Sequence, residues 1–400
     1  MKMMQAVKIS EKVYWVGAID WNIRDFHGYS TRRGTTYNAY LILGEKPTLV
    51  DTVKKEFYGE MMQRIQSVMD PTKIHQIISN HSELDHSGAL AETVASIRPQ
   101  EVYVSAMGLK NLTGHFHENL KFKIVKTGDR IDIGGDTISF VEARMLHWPD
   151  SMFSYLEKEN ILFSNDVFGM HYATNRLFDD ENDEHIWWTE AAKYYANIVL
   201  PYSDIVLRFL QQIKQMGLSP RMIAPDHGFV WRKNPSQIVD LYGEWAAQKA
   251  ANKALIVYDT MWGSTEKMAR QIADGLSSAG TQVKLLSMHH TDRSEVALEL
   301  LNSTALLVGS PVLNSQIFPS LADVLCYLKG LRKKNLIGAV FGSYGWNGAP
   351  LEDIYQTLEK MQVQLVAPVL KTAFVPDEET LSKCRDLGVV TSQKIAEKLA

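Results

Sequence analysis

Near residue 250 the chain switches from one hydrophobic grammar to another, and that switch demands two cores of different architecture. Before it, short alternating or apolar runs at 13–16, 40–43, 48–50, 77–79, 102–104, 138–142 and 161–164 come in pairs, separated by turn signals such as Gly134-Gly135. Helical periodicity intervenes only at 57–69, 90–97 and 189–216, the pattern of an α+β sandwich with helices outside. Beyond it, strands at 254–258, 282–287, 305–308, 336–341 and 364–369 alternate with helices, the last covering 378–398. Helical crossovers of this kind imply a parallel, doubly wound α/β sheet. The expected domains are 1–250 and 251–400, joined through 244–252.

The densest chemistry lies at 81–86, where His81, Glu83, Asp85 and His86 follow the apolar run 74–78. Four metal-ligating side chains on one loop at the end of a buried strand point to metal binding, because a rigid sheet can fix their geometry. His147, Asp166 and His227 each follow a further strand-like run. Seven such residues suffice for two metals if one carboxylate bridges them. Glu83, Asp85 and Asp166 set three negative charges against the four positive charges of two divalent cations, so one bridging hydroxide neutralises the set, with an oxo bridge as the alternative. Such an oxygen-rich site favours iron, with zinc or manganese still open. His115 and His117 sit on an expected surface turn and read as solvated.

In the second half, the loop Thr260-Met261-Trp262-Gly263-Ser264-Thr265 opens a helix and offers hydroxyls and backbone N–H groups to a phosphate. It lacks the lysine and spacing of a nucleoside triphosphate loop and the GxGxxG of a dinucleotide fold, which leaves a monophosphate. Two further loops, 309–316 and 342–350, end the third and fourth strands at the edge where doubly wound folds bind ligands. Trp262, Tyr344 and Trp346 are placed to flank a planar ring.

Composition narrows the partners. With 42 basic and 46 acidic residues and no charged block, nothing suggests a nucleic-acid or membrane partner. No apolar run approaches membrane-spanning length, and the two cysteines, Cys326 and Cys384, build neither a disulfide framework nor a thiolate metal site. A cytoplasmic location is expected.

Taken together, the motifs HSELDH at 81, LHWPDS at 146, SND around Asp166, PDHG at 225 and TMWGST at 260 resemble those of the flavodiiron proteins. That family joins a metallo-β-lactamase-like αββα sandwich to a flavodoxin-like domain, and the resemblance covers essentially the whole chain. It implies one iron held by His81, Glu83 and His147, a second by Asp85, His86 and His227, and Asp166 between them. It also implies FMN, with Thr260, Met261, Trp262, Gly263, Ser264 and Thr265 at the phosphate. Pro311, Val312, Leu313 and Asn314, with Ser343, Tyr344, Gly345, Trp346, Asn347 and Gly348, would surround the ring. His86 has the weakest claim to direct ligation, since its equivalent swings off the metal in some members. His27 resembles a position near the gas pocket, and Tyr195 is a candidate hydroxyl beside it.

The activity implied is reduction of dioxygen to water, of nitric oxide to nitrous oxide, or both. The chain carries no CxxC pair, so electrons are expected from rubredoxin or a reduced deazaflavin. A head-to-tail homodimer, or a tetramer of two, is expected as well. Two other readings compete: a hydrolase of the metallo-β-lactamase type, which Glu83 disfavours, and a flavin electron carrier whose first domain only docks a partner.

Overall fold

Strand alternation sorts the first half of the chain into two packed sheets. Along Tyr40–Ile42, Thr48–Val50, Gln76–Ile78 and Glu101–Val104, successive side chains face opposite sides of one sheet. Tyr40, Ile42, Val50, Ile78 and Tyr103 enter a core that also contains Phe140, Met152, Leu156 and Phe163 of the second sheet. Their neighbours Leu41, Leu49, Ile77, Val102 and Val104 pack instead with Met61, Ile65, Leu90 and Ile97 of the flanking helices. Outside the second sheet, Phe153 meets Phe209 of the helix Ser203–Gln215 edge to face at 5.0 Å. The layers are therefore helix, sheet, sheet, helix.

The computed structural model describes residues 4–118 and 120–400. They divide into two compact units. The first contains the described residues up to Phe26, with Thr31–Tyr194 and Asp204–Gly243; the second contains His27–Ser30, Tyr195–Ser203 and Glu244–Ala400. Residues 244–250 thus group with the second unit, where the sequence reading divides the chain after 250. Within that unit, Ser294 Oγ accepts from the Ser30 amide at 3.1 Å, and the Ser294 carbonyl accepts from Asn197 Nδ2 at 3.1 Å.

One expected helix needs correction, and one strand went unexpected. The helix expected over 189–216 is broken: Glu184–Tyr194 gives way to a π segment at Tyr195–Val199 and a 3-10 turn at Leu200–Tyr202, before Ser203–Gln215 resumes. Pro201 has no N–H to continue the ladder. The strand Met152–Leu156 is not visible in the sequence, because Ser154 interrupts its apolar run; that hydroxyl is buried and donates to Asn80 Oδ1 at 2.6 Å.

The second unit's sheet runs Gln282–Ser287, Lys253–Tyr258, Ala305–Leu313, Ile337–Tyr344 and Gln364–Leu365, all parallel. This is the flavodoxin order, with the strand order reversing at Lys253–Tyr258 and Ala305–Leu313. The expected strand 364–369 is instead two pieces, Gln364–Leu365 and Leu370–Ala373, with Pro368 in the gap. Helix Ser264–Ser278 lies against Glu378–Leu399 so closely that a Cβ at Gly275 would meet the Arg385 carbonyl oxygen at 2.1 Å. Among the described residues no helix is long and apolar enough to cross a membrane.

Candidate metal centre and cofactor cleft

In the first unit, strand ends deliver the polar side chains to one place. Asp51 follows Thr48–Val50, His81 lies three residues past Gln76–Ile78, Asp166 three past Ile161–Phe163 and His227 three past Met222–Ala224. The loops are pinned by buried bonds: Asp51 accepts from both the amide and Nδ2 of Asn80, at 2.7 and 2.8 Å. The Pro225 carbonyl accepts from Tyr40 Oη at 2.6 Å and Asn38 Nδ2 at 2.7 Å.

All seven predicted ligands converge. His81, Glu83, His147 and Asp166 form one group and Asp85, His86 and His227 another, with the ligand atoms of each within 4.8 Å of one another. Asp166 stands between the groups and divides its oxygens. Its Oδ2 lies 2.9 Å from His147 Nε2 and 3.5 Å from His81 Nε2, while Oδ1 lies 3.0 Å from His86 Nε2 and 3.6 Å from His227 Nε2. Asp85 Oδ2 is 3.2 Å from both His86 and His227 Nε2.

The imidazole orientations follow from their far nitrogens. His227 Nδ1 donates to the Thr36 carbonyl oxygen at 2.6 Å; a carbonyl only accepts, so Nε2 carries the free lone pair toward the carboxylates. His81 Nδ1 faces Asp150 Oδ2 at 3.3 Å, and that oxygen also accepts from the Ser82 amide at 2.6 Å. Asn111 Nδ2 donates to Asp150 Oδ1 at 3.2 Å. Asp150 escaped the sequence reading although it belongs to the LHWPDS motif.

The residues fit a pair of metal cations. Both oxygens of Asp85, Oδ1 of Asp166 and both nitrogens of His86 are buried without a hydrogen-bond partner. A cation between them would satisfy the facing lone pairs of carboxylates and neutral imidazoles together, and buried polar atoms left unsatisfied cost several kcal/mol. Titration shifts reflect the same crowding. Burial alone would raise Asp166 and Asp85, but the imidazoles, His86 foremost, outweigh it and hold both well below the usual carboxylate range. Burial pushes Asp51 up to about 6, and burial with help from Asp51 pushes Asp226 well above its ordinary value while its oxygens have no donor.

Around the second group, Thr35 Oγ1 lies 2.9 Å from Nδ1 of the buried His171, whose ring centroid is 4.7 Å from that of His227. Burial, and then His227, hold His171 well below its usual value, as a neutral ring. Tyr194 lies 5.1 Å from His171 and 6.1 Å from His227, ring to ring. Tyr195, the sequence candidate, belongs to the second unit and its hydroxyl bonds Ser203 Oγ at 3.0 Å. The neighbouring position holds the tyrosine beside the cluster. His27 also falls in the second unit, and His115 and His117 lie on helix Ala106–Phe116 and its C-cap, outside the ligand groups.

The second unit holds a cleft of about 490 Å³ at the carboxyl ends of its central strands. Twelve of the sixteen expected residues line it: Thr260, Met261, Trp262, Ser264, Pro311, Val312, Leu313, Asn314, Ser343, Tyr344, Gly345 and Trp346. Gly263 instead shapes the loop, accepting φ +82° at the start of helix Ser264–Ser278, where no side chain caps the helix amides. Thr265 is buried with its hydroxyl 3.2 Å from Ser343 Oγ, Gly348 packs under the Tyr344 ring, and Asn347 lines a small adjoining cavity. Phe374 and Val375 also line the cleft and were missed, because the split of the last strand hid where it ends. Trp262 and Trp346 are 92% and 87% exposed, so their ring faces are available to a planar ligand. The volume lies within the ~300–1,000 Å³ of small-molecule sites. Free helix amides at one end and aromatic faces at the other fit a phosphorylated ring compound.

Comparison with known proteins agrees with both units. Residues 35–228 match the ODP family beta lactamase model, and 256–388 match flavodoxin. The chain is 43% identical over 402 residues to a nitric oxide reductase of Moorella thermoacetica, covering 100% of both chains. It belongs to the flavodiiron protein family. The rubredoxin oxygen:oxidoreductase of Desulfovibrio gigas, a solved structure, superposes with a TM-score of 0.97 at 41% identity, covering 99% of this chain and 100% of that one. The flavodiiron protein of Giardia intestinalis superposes at 0.95 with 32% identity, covering 100% and 98%. The flavodiiron fold, an αββα sandwich with a flavodoxin-like unit, is thus that of this chain.

Proposed function

We propose that this flavodiiron protein reduces dioxygen to water, nitric oxide to nitrous oxide, or both, at two iron ions in the first unit, with FMN in the cleft of the second. The observation that carries the reading is the division of Asp166, one oxygen toward His81 and His147, the other toward His86 and His227. A carboxylate so divided would serve both ions. His81, Glu83 and His147 would hold one, and Asp85, His86 and His227 the other. When bound, two ferrous ions supply one electron each to a diatomic gas, and FMN restores them singly from a donor.

The chain's own contribution is charge, orientation and exclusion of water. Three carboxylates would leave two divalent ions nearly neutral, which would stabilise the oxidised centre and disfavour the strongly Lewis-acidic site a hydrolase needs. Thr36 and Asp150 fix the tautomers of His227 and His81, so these two donors would need no reorganisation. Phe26 and Tyr37, with ring centroids 6.3 and 6.0 Å from His227, wall that side with aromatic surface suited to an apolar diatomic. Tyr194, whose ring centroid lies 6.1 Å from that of His227, is a candidate to offer a proton or hydrogen bond there. In the cleft, the amides of Ser264 and Thr265 and the Ser264 hydroxyl would receive the phosphate, with the ring against Trp262, Tyr344 and Trp346.

The same reading assigns rubredoxin as the first choice of donor, with a reduced deazaflavin second, a cytoplasmic location, and a homodimer or homotetramer. Anaerobic reduction followed by parallel measurement of oxygen and nitric oxide consumption with one donor tests the activity. Turnover of at least one gas, abolished by Asp166→Ala, is expected. A protein that consumes neither gas while its flavin still shuttles electrons would be only a carrier.

A further inference from the structure

One buried acid next to the metal cluster has no role in the proposed centre. Asp226 is fully buried, and neither carboxylate oxygen has a hydrogen-bond partner. Its backbone cannot move away, because its amide donates to the Asn165 carbonyl and its carbonyl accepts from the Asn38 amide, each at 2.8 Å. The group facing it is His86, whose Nδ1 lies 3.7 Å from Asp226 Oδ2 and is equally unpartnered. His86 Nε2 meanwhile faces Asp85 and Asp166 at 3.2 and 3.0 Å.

A histidine that binds a metal through Nε2 carries its proton on Nδ1 and needs an acceptor there. The Thr36 carbonyl serves His227, and Asp150 faces His81. We infer that Asp226 is the positioning residue for the second ion: its carboxylate accepts the Nδ1–H of His86 and so presents His86 Nε2 to the ion shared with Asp85 and His227. The two unpartnered groups are each other's remedy. A small rotation of the imidazole closes the 3.7 Å gap to hydrogen-bond length, while Asp226, anchored at both ends of its peptide, stays in place.

The inference rests on the proposed diiron reading, and one experiment separates the two. Protein loaded with ⁵⁷Fe and FMN is examined by Mössbauer spectroscopy, and ferrous iron release to a chelator is followed anaerobically. Two irons in the parent protein are required; a parent without them would overturn the metal reading and this inference with it. Asp226→Leu, which removes the acceptor, is expected to speed the loss of one of the two irons by roughly 10–100-fold, the scale of outer-partner effects at metal sites, while the other iron and FMN stay bound. Asp226→Asn, isosteric and so least prone to misfolding, keeps an accepting oxygen but not the charge: it should shift one of the two quadrupole doublets, with release within about fivefold of the parent. Both effects should vanish in a His86→Ala background. Unchanged doublets in Asp226→Asn, equal loss of both irons, or an effect that persists without His86 would each overturn the inference.

Discussion

The two units build their sites from opposite materials. In the first, buried side chains converge from several strand ends, and each has its partner chosen by chemistry: carboxylate against imidazole, imidazole against carbonyl. In the second, the site is mostly backbone shape and exposed surface, a helix start with free amides and tryptophans that stand 92% and 87% exposed. A side-chain site tolerates almost no substitution at its ligands, whereas a site made of amides and ring faces spreads its affinity over many weak contacts.

If that contrast is right, the largest effect belongs to Asp166→Ala. Gas reduction should fall roughly 100-fold or more, with loss of iron but normal FMN content, because even outer partners of metal sites are worth ~10–100-fold. Metal analysis beside flavin absorbance reads both quantities, and retention of two irons would break the contrast. Next comes Ser264→Ala in the phosphate loop. Losing one hydrogen bond to a charged group, about 1.5–3 kcal/mol, should weaken FMN by at least about tenfold in a fluorescence titration. Iron content should not change.

Phe374→Ala sharpens the comparison further. Removing one aromatic wall should weaken FMN a few-fold, about 1 kcal/mol. An effect as large as that of Ser264→Ala would mean the ring contacts, not the phosphate loop, dominate flavin binding.

The units also differ in how they treat buried charge. In the first, imidazoles overcome burial and keep Asp85 and Asp166 ionised. In the second, burial alone lowers Lys333 to about 8, and its Nζ donates to the Leu301 carbonyl at 2.9 Å. A lysine whose folded value lies below its unfolded one is penalised by folding while charged. The penalty is complete below about pH 8 and fades as pH rises toward the unfolded value of about 10.5. Lys333→Met should therefore stabilise the chain at pH 7 by about 1 kcal/mol, after loss of the hydrogen bond, and the gain should shrink above pH 8. Thermal melts of parent and variant across pH 6–10 test it; a constant difference would contradict it.

Legibility followed the same division. The seven converging residues could be read because four of them fall within six positions and His147, Asp166 and His227 each follow a further strand-like run. Asp150 and Asp226 could not, since their importance lies in which imidazole the fold brings near them. Tyr194 was overlooked for Tyr195 because the helix carrying both breaks into a π segment between them. The parallel, doubly wound class of the sheet was plain from alternation, and so were the three ligand loops. The cleft wall at Phe374 and Val375 was not, because the strand leading to it is split at Pro368, where local sequence argues for a loop. Ser154, polar yet buried, hid a whole strand for a similar reason: its partner, Asn80, is distant in sequence.

Metal analysis with Mössbauer spectroscopy of protein grown on ⁵⁷Fe bears most directly on the convergence of the seven side chains. Two irons per chain with magnetically coupled ferric signals, lost together in Asp166→Ala, are expected. A single iron, or zinc in an iron-replete preparation, would contradict a carboxylate-bridged redox pair.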